Sequence, residues 1–470
     1  METYRKKGGI FVEEKGKQLG MVNLLGLGLG GAIGTGIFVM MGFAIAQTGR
    51  SIPLVCIVGC FFMLLAFWFD VAMSTMFVFK GGDYGMRTMM FGPLMTGVSA
   101  WFTIISSLSL SSHSIAIAGY VVIAIPALSE YTTLIAFVIL TLCFLTTIKG
   151  SRFVTILQNL VTAVLVVALV LFIGYGVWQV DPAVFFSNAD GGFFHGGLGG
   201  FVGAISTLSF ACMGVSGIVA VAAVTKKPKR NIPLSMVIVT VILAVIYGLM
   251  AYVAGGILPY DQIAGANLSV TAEAIMPYAP YMFFVVGGGI CAIGSTLLGN
   301  ITIFRYPMTQ IAEDGWLPAI FKKHTKNGYP YVSFLVIYIV SAIPILTGMS
   351  IDVIVSDIMI PTMLINLYIN LRIITLPKKY PEQWAKRSIR MPVWLWNVCC
   401  VLGGASNVVI IYNLFINLTM RDAIIAVAIV VILFALSFIR LKQGAVKPEK
   451  LEEVRQKTIQ DALLTTNAAE

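Results

Sequence analysis

The groups in this chain best placed to do chemistry are backbone groups, released where glycines gather. Six glycines, at 26, 28, 30, 31, 34 and 36, fall within Gly26-Leu-Gly-Leu-Gly-Gly-Ala-Ile-Gly-Thr-Gly-Ile-Phe38. Each costs a helix interior about 1 kcal/mol relative to alanine, so a cluster this dense predicts a helix that opens. In an apolar setting, opened N–H and C=O groups must line a cavity or bind something. The chemistry on offer is coordination of a polar or charged solute. A looser interruption, Phe210-Ala-Cys-Met-Gly-Val-Ser-Gly217, lies much further along. In Ala292-Ile-Gly-Ser-Thr296 a carbonyl and the Ser295 and Thr296 hydroxyls fall on one helical face. Such neutral oxygens suit a hard cation. Competing readings stand beside these. Gly26, Gly30 and Gly34 also fit close helix packing, and serines or threonines inside helices often bond back to the preceding turn.

Titratable side chains are sparse. His113 lies in Ser106-Ser-Leu-Ser-Leu-Ser-Ser-His-Ser114 with Ser106 and Ser109 roughly on its face. It is either a hydrogen-bonded packing histidine or a contributor to side-chain selectivity. Asp70 and Asp357 sit in apolar stretches, where a charge costs from about 2.5 to more than 10 kcal/mol. Asp70 reaches an inner interface and Asp357 an outer vestibule, or else they, with His113, are the candidates to carry protons. The three histidines are scattered and no HExxH or other catalytic motif occurs, so neither an enzyme nor a catalytic residue is expected. No cofactor is expected beyond a sodium ion.

The elements that must hold these groups are membrane helices. The chain is 58% hydrophobic and 11% charged over 470 residues, and Ile52 to Phe69 runs without a charge, close to the roughly 20 residues of a helical crossing. Backbone groups in lipid must be satisfied within each segment, and runs this uniform suit helices rather than barrel strands. About twelve spans are expected, over 19–47, 52–79, 97–126, 131–148, 153–179, 198–224, 233–258, 279–304, 331–348, 351–376, 392–416 and 421–440. The seven cysteines fall in apolar stretches without CxxC pairing and read as reduced packing residues. The formal charge of +10 comes from basic residues scattered between spans, which argues against a nucleic-acid partner. With the N-terminus inside, every Lys and Arg but Arg50 and Arg421 falls on cytoplasmic segments, so both termini are expected in the cytoplasm. The tail after Arg440 reads as a short surface helix or as disorder.

In order along the chain, several motifs resemble the amino acid-polyamine-organocation (APC) superfamily. Gly31-Ala-Ile-Gly-Thr-Gly-Ile-Phe38 looks like its first-helix signature, and Lys80-Gly-Gly-Asp-Tyr84 with Phe91-Gly-Pro93 like its first inner loop. Thr225-Lys-Lys-Pro-Lys-Arg-Asn-Ile-Pro233 resembles the loop after helix six, and Arg305 to Pro318 the end of helix eight. The resemblance implies an all-α integral membrane protein of the LeuT type, a five-plus-five inverted repeat with helices one and six broken and two helices added. The chain would divide into a cytoplasmic segment 1–18, a core 19–376 (repeats 19–179 and 198–376), helices over 392–440 and a cytoplasmic tail 441–470.

The same resemblance implies a secondary amino acid transporter of the plasma membrane, working by alternating access. The substrate carboxylate would sit on amides near Thr35 and Gly36. Its ammonium would meet carbonyls of Ala32, Phe210, Ala211 and Met213, with the Phe210 ring as gate and His113 and Ser216 nearby. Many relatives carry Glu where Ser216 stands, so the substrate is expected to be neutral. A lysine that replaces sodium in some relatives corresponds here to Leu165. Carbonyls of Gly30, Ile33 and Ala292 with the hydroxyls of Ser295 and Thr296 resemble a sodium site, hence sodium symport. Proton coupling, exchange with an amine or amino acid, and a non-transporting sensor are the alternatives. Lipid and an amino acid are the partners expected, and oligomeric state is left open.

Overall fold

The computed structural model describes residues 19–467 apart from 80, 149–150, 188–191, 326–328 and 417. Segment 1–18, Lys80, Lys149 and Lys326 therefore lie outside the described residues. The described residues are predominantly helical and include no named strand. Nine of its helices are long and apolar enough to cross a bilayer: Met40–Ala66, Pro93–Ala124, Pro126–Ile148, Gly197–Val224, Pro228–Gly256, Tyr278–Asp314, Ile351–Lys379, Val393–Ile416 and Met420–Lys442. Met21–Ala32, Leu160–Gly176 and Tyr331–Thr347 are shorter apolar helices. The multi-pass all-α membrane architecture read from the sequence is what the chain adopts. Met40–Ala66 is not straight, because Gly49, at φ 67°, turns the chain between Met40–Thr48 and Ile52–Ala66.

Lipid is needed to cover what the fold leaves bare. Leu134, Val138, Leu142 and Leu145 form an exposed stripe at helical spacing, as do Ile424, Val427, Val431 and Phe438. Stripes this apolar and extended are stable only against hydrocarbon or another apolar surface.

The segment after Arg440, which the sequence left between helix and disorder, is a helix, Pro448–Asn467, docked on the protein. Arg455 donates to the carbonyls of Thr88 at 2.9 Å and Phe91 at 2.7 Å, a cation capping the C-terminal end of helix Gly82–Met90. Lys450 reaches the Glu313 carbonyl and Lys229 that of Ala462. The segments at 82–92, 226–230 and 313–316 thus share one face with the C-terminal helix, called here the tail side. Tyr84, fully buried on that face, donates to Asp314 Oδ2 at 2.7 Å. Burial, reinforced by the Asp314 carboxylate, raises the phenol well above its ordinary value, so it stays a donor.

The second long helix carries an interruption with no glycine to announce it. Phe67 leaves helical geometry at φ −100° and ψ 26°. Asn370 takes up the released groups: its Oδ1 accepts from the Phe69 amide at 3.1 Å and its Nδ2 donates to the Ala66 carbonyl at 2.8 Å. Asn407 gives the same carbonyl a second bond at 3.2 Å. Asn370 is wholly buried, so Asn370→Leu strands a buried amide and is expected to lower stability by about 2–4 kcal/mol. Thermal unfolding in detergent measures this; a melting temperature within a degree of the parent would refute the bridging role.

Candidate functional site

The two interruptions expected from the glycines lie side by side. Helix Met21–Ala32 ends as Ile33 swings to ψ 96° and Gly34 to φ −162°, ψ −137°, and winding resumes at Thr35. The Ile37 and Phe38 amides share the Gly34 carbonyl at 3.2 Å each. The Thr35 and Gly36 amides, first in their turn, have no intrahelical acceptor. The Thr35 hydroxyl is buried without a partner.

The second interruption differs from an opened helix. Gly197–Cys212 is α-helical and Met213–Val224 winds on as a 3-10 helix of 12 residues, where runs of three or four are usual. Tighter winding keeps one hydrogen bond per residue, so fewer carbonyls are released here than the sequence suggested. Glycine at this point serves contact. A Cβ on Gly214 would stand 2.1 Å from the Gly31 oxygen, and one on Gly36 only 2.2 Å from the Ala211 Cα. The backbones touch, and the contact continues to Leu19, whose amide donates to the Val224 carbonyl at 2.9 Å. Gly26, by contrast, has nothing within 4 Å of its would-be Cβ, so it takes no part in the packing alternative within the chain.

Tyr247 ties the two breaks together. Its buried hydroxyl lies 3.0 Å from the Ala32 carbonyl and 3.1 Å from that of Ala211. Those are two of the four carbonyls the family resemblance gave to a substrate ammonium, so here the tyrosine already addresses them. Of the other two, Met213 accepts from the Ser216 hydroxyl at 2.9 Å. Nothing in the sequence singled out Tyr247 among 17 tyrosines; only the fold brings it across.

A cavity of about 150 Å³ opens between the breaks, lined by Ala32, Thr35, Gly36, His113, Phe210, Met213 and Ser216. Ala211 lies behind this wall. His113 is buried, with Nδ1 2.6 Å from the Ser109 carbonyl, which can only accept. Nδ1 therefore carries the proton, and Nε2 faces the Asn300 side-chain amide at 3.4 Å. Its ring meets Phe210 edge-on at 5.9 Å, so histidine and gate form one wall. The cavity runs on to Asp83, Arg87 and Pro307 at the tail side. Away from the tail side, Phe38, Tyr120 and Phe284 pack together and the Tyr120 hydroxyl holds the Phe38 carbonyl at 3.0 Å. Room for this plug comes from a π-helical turn, Phe284–Cys291, where a Cβ on Gly289 would stand 2.1 Å from the Tyr120 ring.

The oxygens picked out for a cation also gather, outside the cavity wall except for Thr296. Thr296 Oγ1 lies 3.0 Å from the Gly30 carbonyl, 3.1 Å from that of Ile33 and 3.2 Å from that of Ala292. One hydroxyl proton faces three acceptors. A Cβ on Gly34 would be 2.5 Å from Thr296 Oγ1, so the glycine makes the approach feasible. Ser295, next in the chain, keeps a buried hydroxyl with no partner. The fit to a small hard cation is therefore four clustered oxygens and a fifth one residue away.

Two aspartates sit differently from their simplest readings. Asp70 is fully buried and Asp357 nearly so, and both carboxyl oxygens of each lack a hydrogen-bond partner. Neither carboxyl is open to solvent; the charged groups that bear on Asp70 are Asp83 and Arg87, and the one that bears on Asp357 is Asp422. Leu165, where some relatives place lysine, is buried packing.

This chain is similar to the branched-chain amino acid permease BcaP of Bacillus subtilis (strain 168), 25% identical over 396 residues that cover 78% of this chain and 82% of the relative. It is also similar to the vacuolar cationic amino acid transporter 4 of Arabidopsis thaliana, 24% identical over 337 residues, covering 65% of this chain and 54% of that protein. Residues 19–445, which contain both breaks, the cavity and the oxygen cluster, match the amino acid permease family model, and the chain belongs to that family.

Proposed function

We propose that this permease moves a neutral, branched aliphatic amino acid across the plasma membrane by alternating access, with sodium as the coupling ion and both termini in the cytoplasm. The observation that carries the reading is the Thr35 hydroxyl, buried without a partner, on a residue that lines the cavity beside Phe210 and starts a helical turn with Gly36. Amides at the start of a helical turn favour an anion, here the substrate carboxylate. The breaks near 33 and 213 would occupy equivalent places in repeats 19–179 and 198–376. A neutral side chain is favoured because the wall near the breaks has no acid: Val215 and Ser216 follow Gly214, and the cavity's carboxylate, Asp83, lies at its tail end. The Gly30, Ile33, Ala292, Ser295 and Thr296 oxygens would hold sodium.

A second reading has its own observation. Asp70 is buried with no hydrogen-bond partner for either oxygen, which suits a carrier of protons. Purified protein in liposomes separates these readings with radiolabelled L-leucine, L-isoleucine, L-valine and L-lysine under an imposed sodium or proton gradient. Uptake of the branched amino acids, driven by sodium and exceeding that of lysine at least about tenfold, is expected. Uptake driven by protons alone would replace sodium with the aspartate mechanism. Binding without flux would make the chain a sensor.

A further inference from the structure

Arg87 is charged, buried and underused. It projects from helix Gly82–Met90 into the tail-side end of the cavity whose far end is Thr35 and Gly36. Its side chain is 5% exposed, its Nε has no hydrogen-bond partner, and its ion pair is a loose 3.7 Å contact with half-buried Asp83. A guanidinium presents five donors in a planar fork that matches a carboxylate on two parallel bonds. A 3.7 Å approach from one terminal nitrogen to one oxygen leaves most of that fork unmade.

We propose that Arg87 is a second carboxylate-binding subsite, which receives the α-carboxylate of the amino acid after it leaves the Thr35 and Gly36 amides on its way to the tail side. Asp83 is its resting partner and competitor. When the subsite is empty the aspartate partly neutralises a guanidinium that is costly to bury alone. When the carboxylate arrives it displaces Asp83, whose side chain is 32% accessible and lines the same cavity, so the aspartate has room to swing aside. The pathway then has a chelating anion site at each end of one cavity. This rests on the reading of the cavity as an amino acid pathway.

The test uses liposomes carrying at most about one molecule each, sorted by capture on a C-terminal affinity tag, so that KM for L-leucine is measured separately from the tail side and from the opposite side. Arg87→Gln is expected to raise the tail-side KM about tenfold, with the opposite-side KM changed by less than about twofold. Asp83→Asn frees the guanidinium and is expected to lower the tail-side KM about threefold. A purely structural pair predicts something else: either change breaks the same latch, so both variants shift KM in the same direction. That result, or a tail-side KM unmoved by Arg87→Gln, would overturn the subsite. Should Arg87→Gln not fold, Asp83→Asn decides alone, since an unchanged or raised KM contradicts competition. Failure of the underlying reading is distinct, for then the parent protein would transport no L-leucine from either side.

Discussion

Gly36→Leu is expected to abolish stabilisation of the purified protein by L-leucine in a thermal-shift assay, while Gly26→Ala leaves that stabilisation unchanged. The two glycines lie ten residues apart in one motif, and composition does not separate them. Geometry does. A Cβ on Gly36 would stand 2.2 Å from the Ala211 Cα and 2.7 Å from the Ala211 nitrogen, and backbone atoms cannot rotate away as a side-chain tip can. Relief requires the two interrupted helices to part, which moves the Thr35 and Gly36 amides off any carboxylate they hold. Misplacement of about 1 Å is enough to lose a factor of about 100 in a site built on orientation. At Gly26 the added methyl meets nothing and raises helix propensity by up to about 1 kcal/mol. Thr35→Val tests the same site with less disturbance, because it removes only the partnerless hydroxyl, and a loss of about 1–2 kcal/mol in L-leucine binding is expected. An intact ligand-induced shift in Gly36→Leu, with the unliganded melting temperature held, would remove the breaks from the site.

The glycines were legible because they violate helix propensity in a stretch that is otherwise unbroken hydrocarbon, and strain of that sort has few uses. Ser295 and Thr296 were legible because their spacing from Ala292 is itself a helical register. The second interruption was visible as a place but not as a conformation, since glycine permits both an opened helix and the 3-10 winding that Met213–Val224 adopts. What the chain alone could not show were groups whose role exists only across space. Tyr247 and Asn370 sit in ordinary apolar helices, 36 residues from Ala211 and 301 from Phe69, and nothing local marks either as the partner of a distant break. Arg87 read as one of many inner-face cations under the positive-inside pattern, whereas the fold turns its guanidinium inward. The docked tail helix was equally hidden: its polar composition is that of a solvated segment, and its attachment comes from Arg455 and Lys450 reaching carbonyls that other helices leave open.

Thr296→Val should eliminate sodium stimulation of L-leucine uptake, and Thr296→Ser should restore it. Valine matches threonine in shape but replaces the hydroxyl with a methyl, so it is not a conservative change where oxygen is needed. In the parent protein that hydroxyl stands within 3.2 Å of the Gly30, Ile33 and Ala292 carbonyls. Removing it takes one ligand from a cation and sets a methyl against the Gly30 and Ile33 oxygens, which are then buried without a donor. The carbonyls left without a donor destabilise the sodium-free protein and show as a lower melting temperature, while the lost ligand is worth about 1–3 kcal/mol, which raises the sodium concentration for half-stimulation about tenfold to a hundredfold. Ser295→Ala, which removes a hydroxyl that no protein group uses, should raise it about tenfold while leaving the sodium-free melting temperature unchanged. The serine rescue separates ligation from packing: Thr296→Ser keeps the oxygen and discards the methyl, so a packing role predicts that it fails and a ligand role that it succeeds. Sodium dependence surviving in Thr296→Val would dismiss this oxygen cluster as the coupling site and leave the buried, unpartnered Asp70 carboxyl as the group to mutate next.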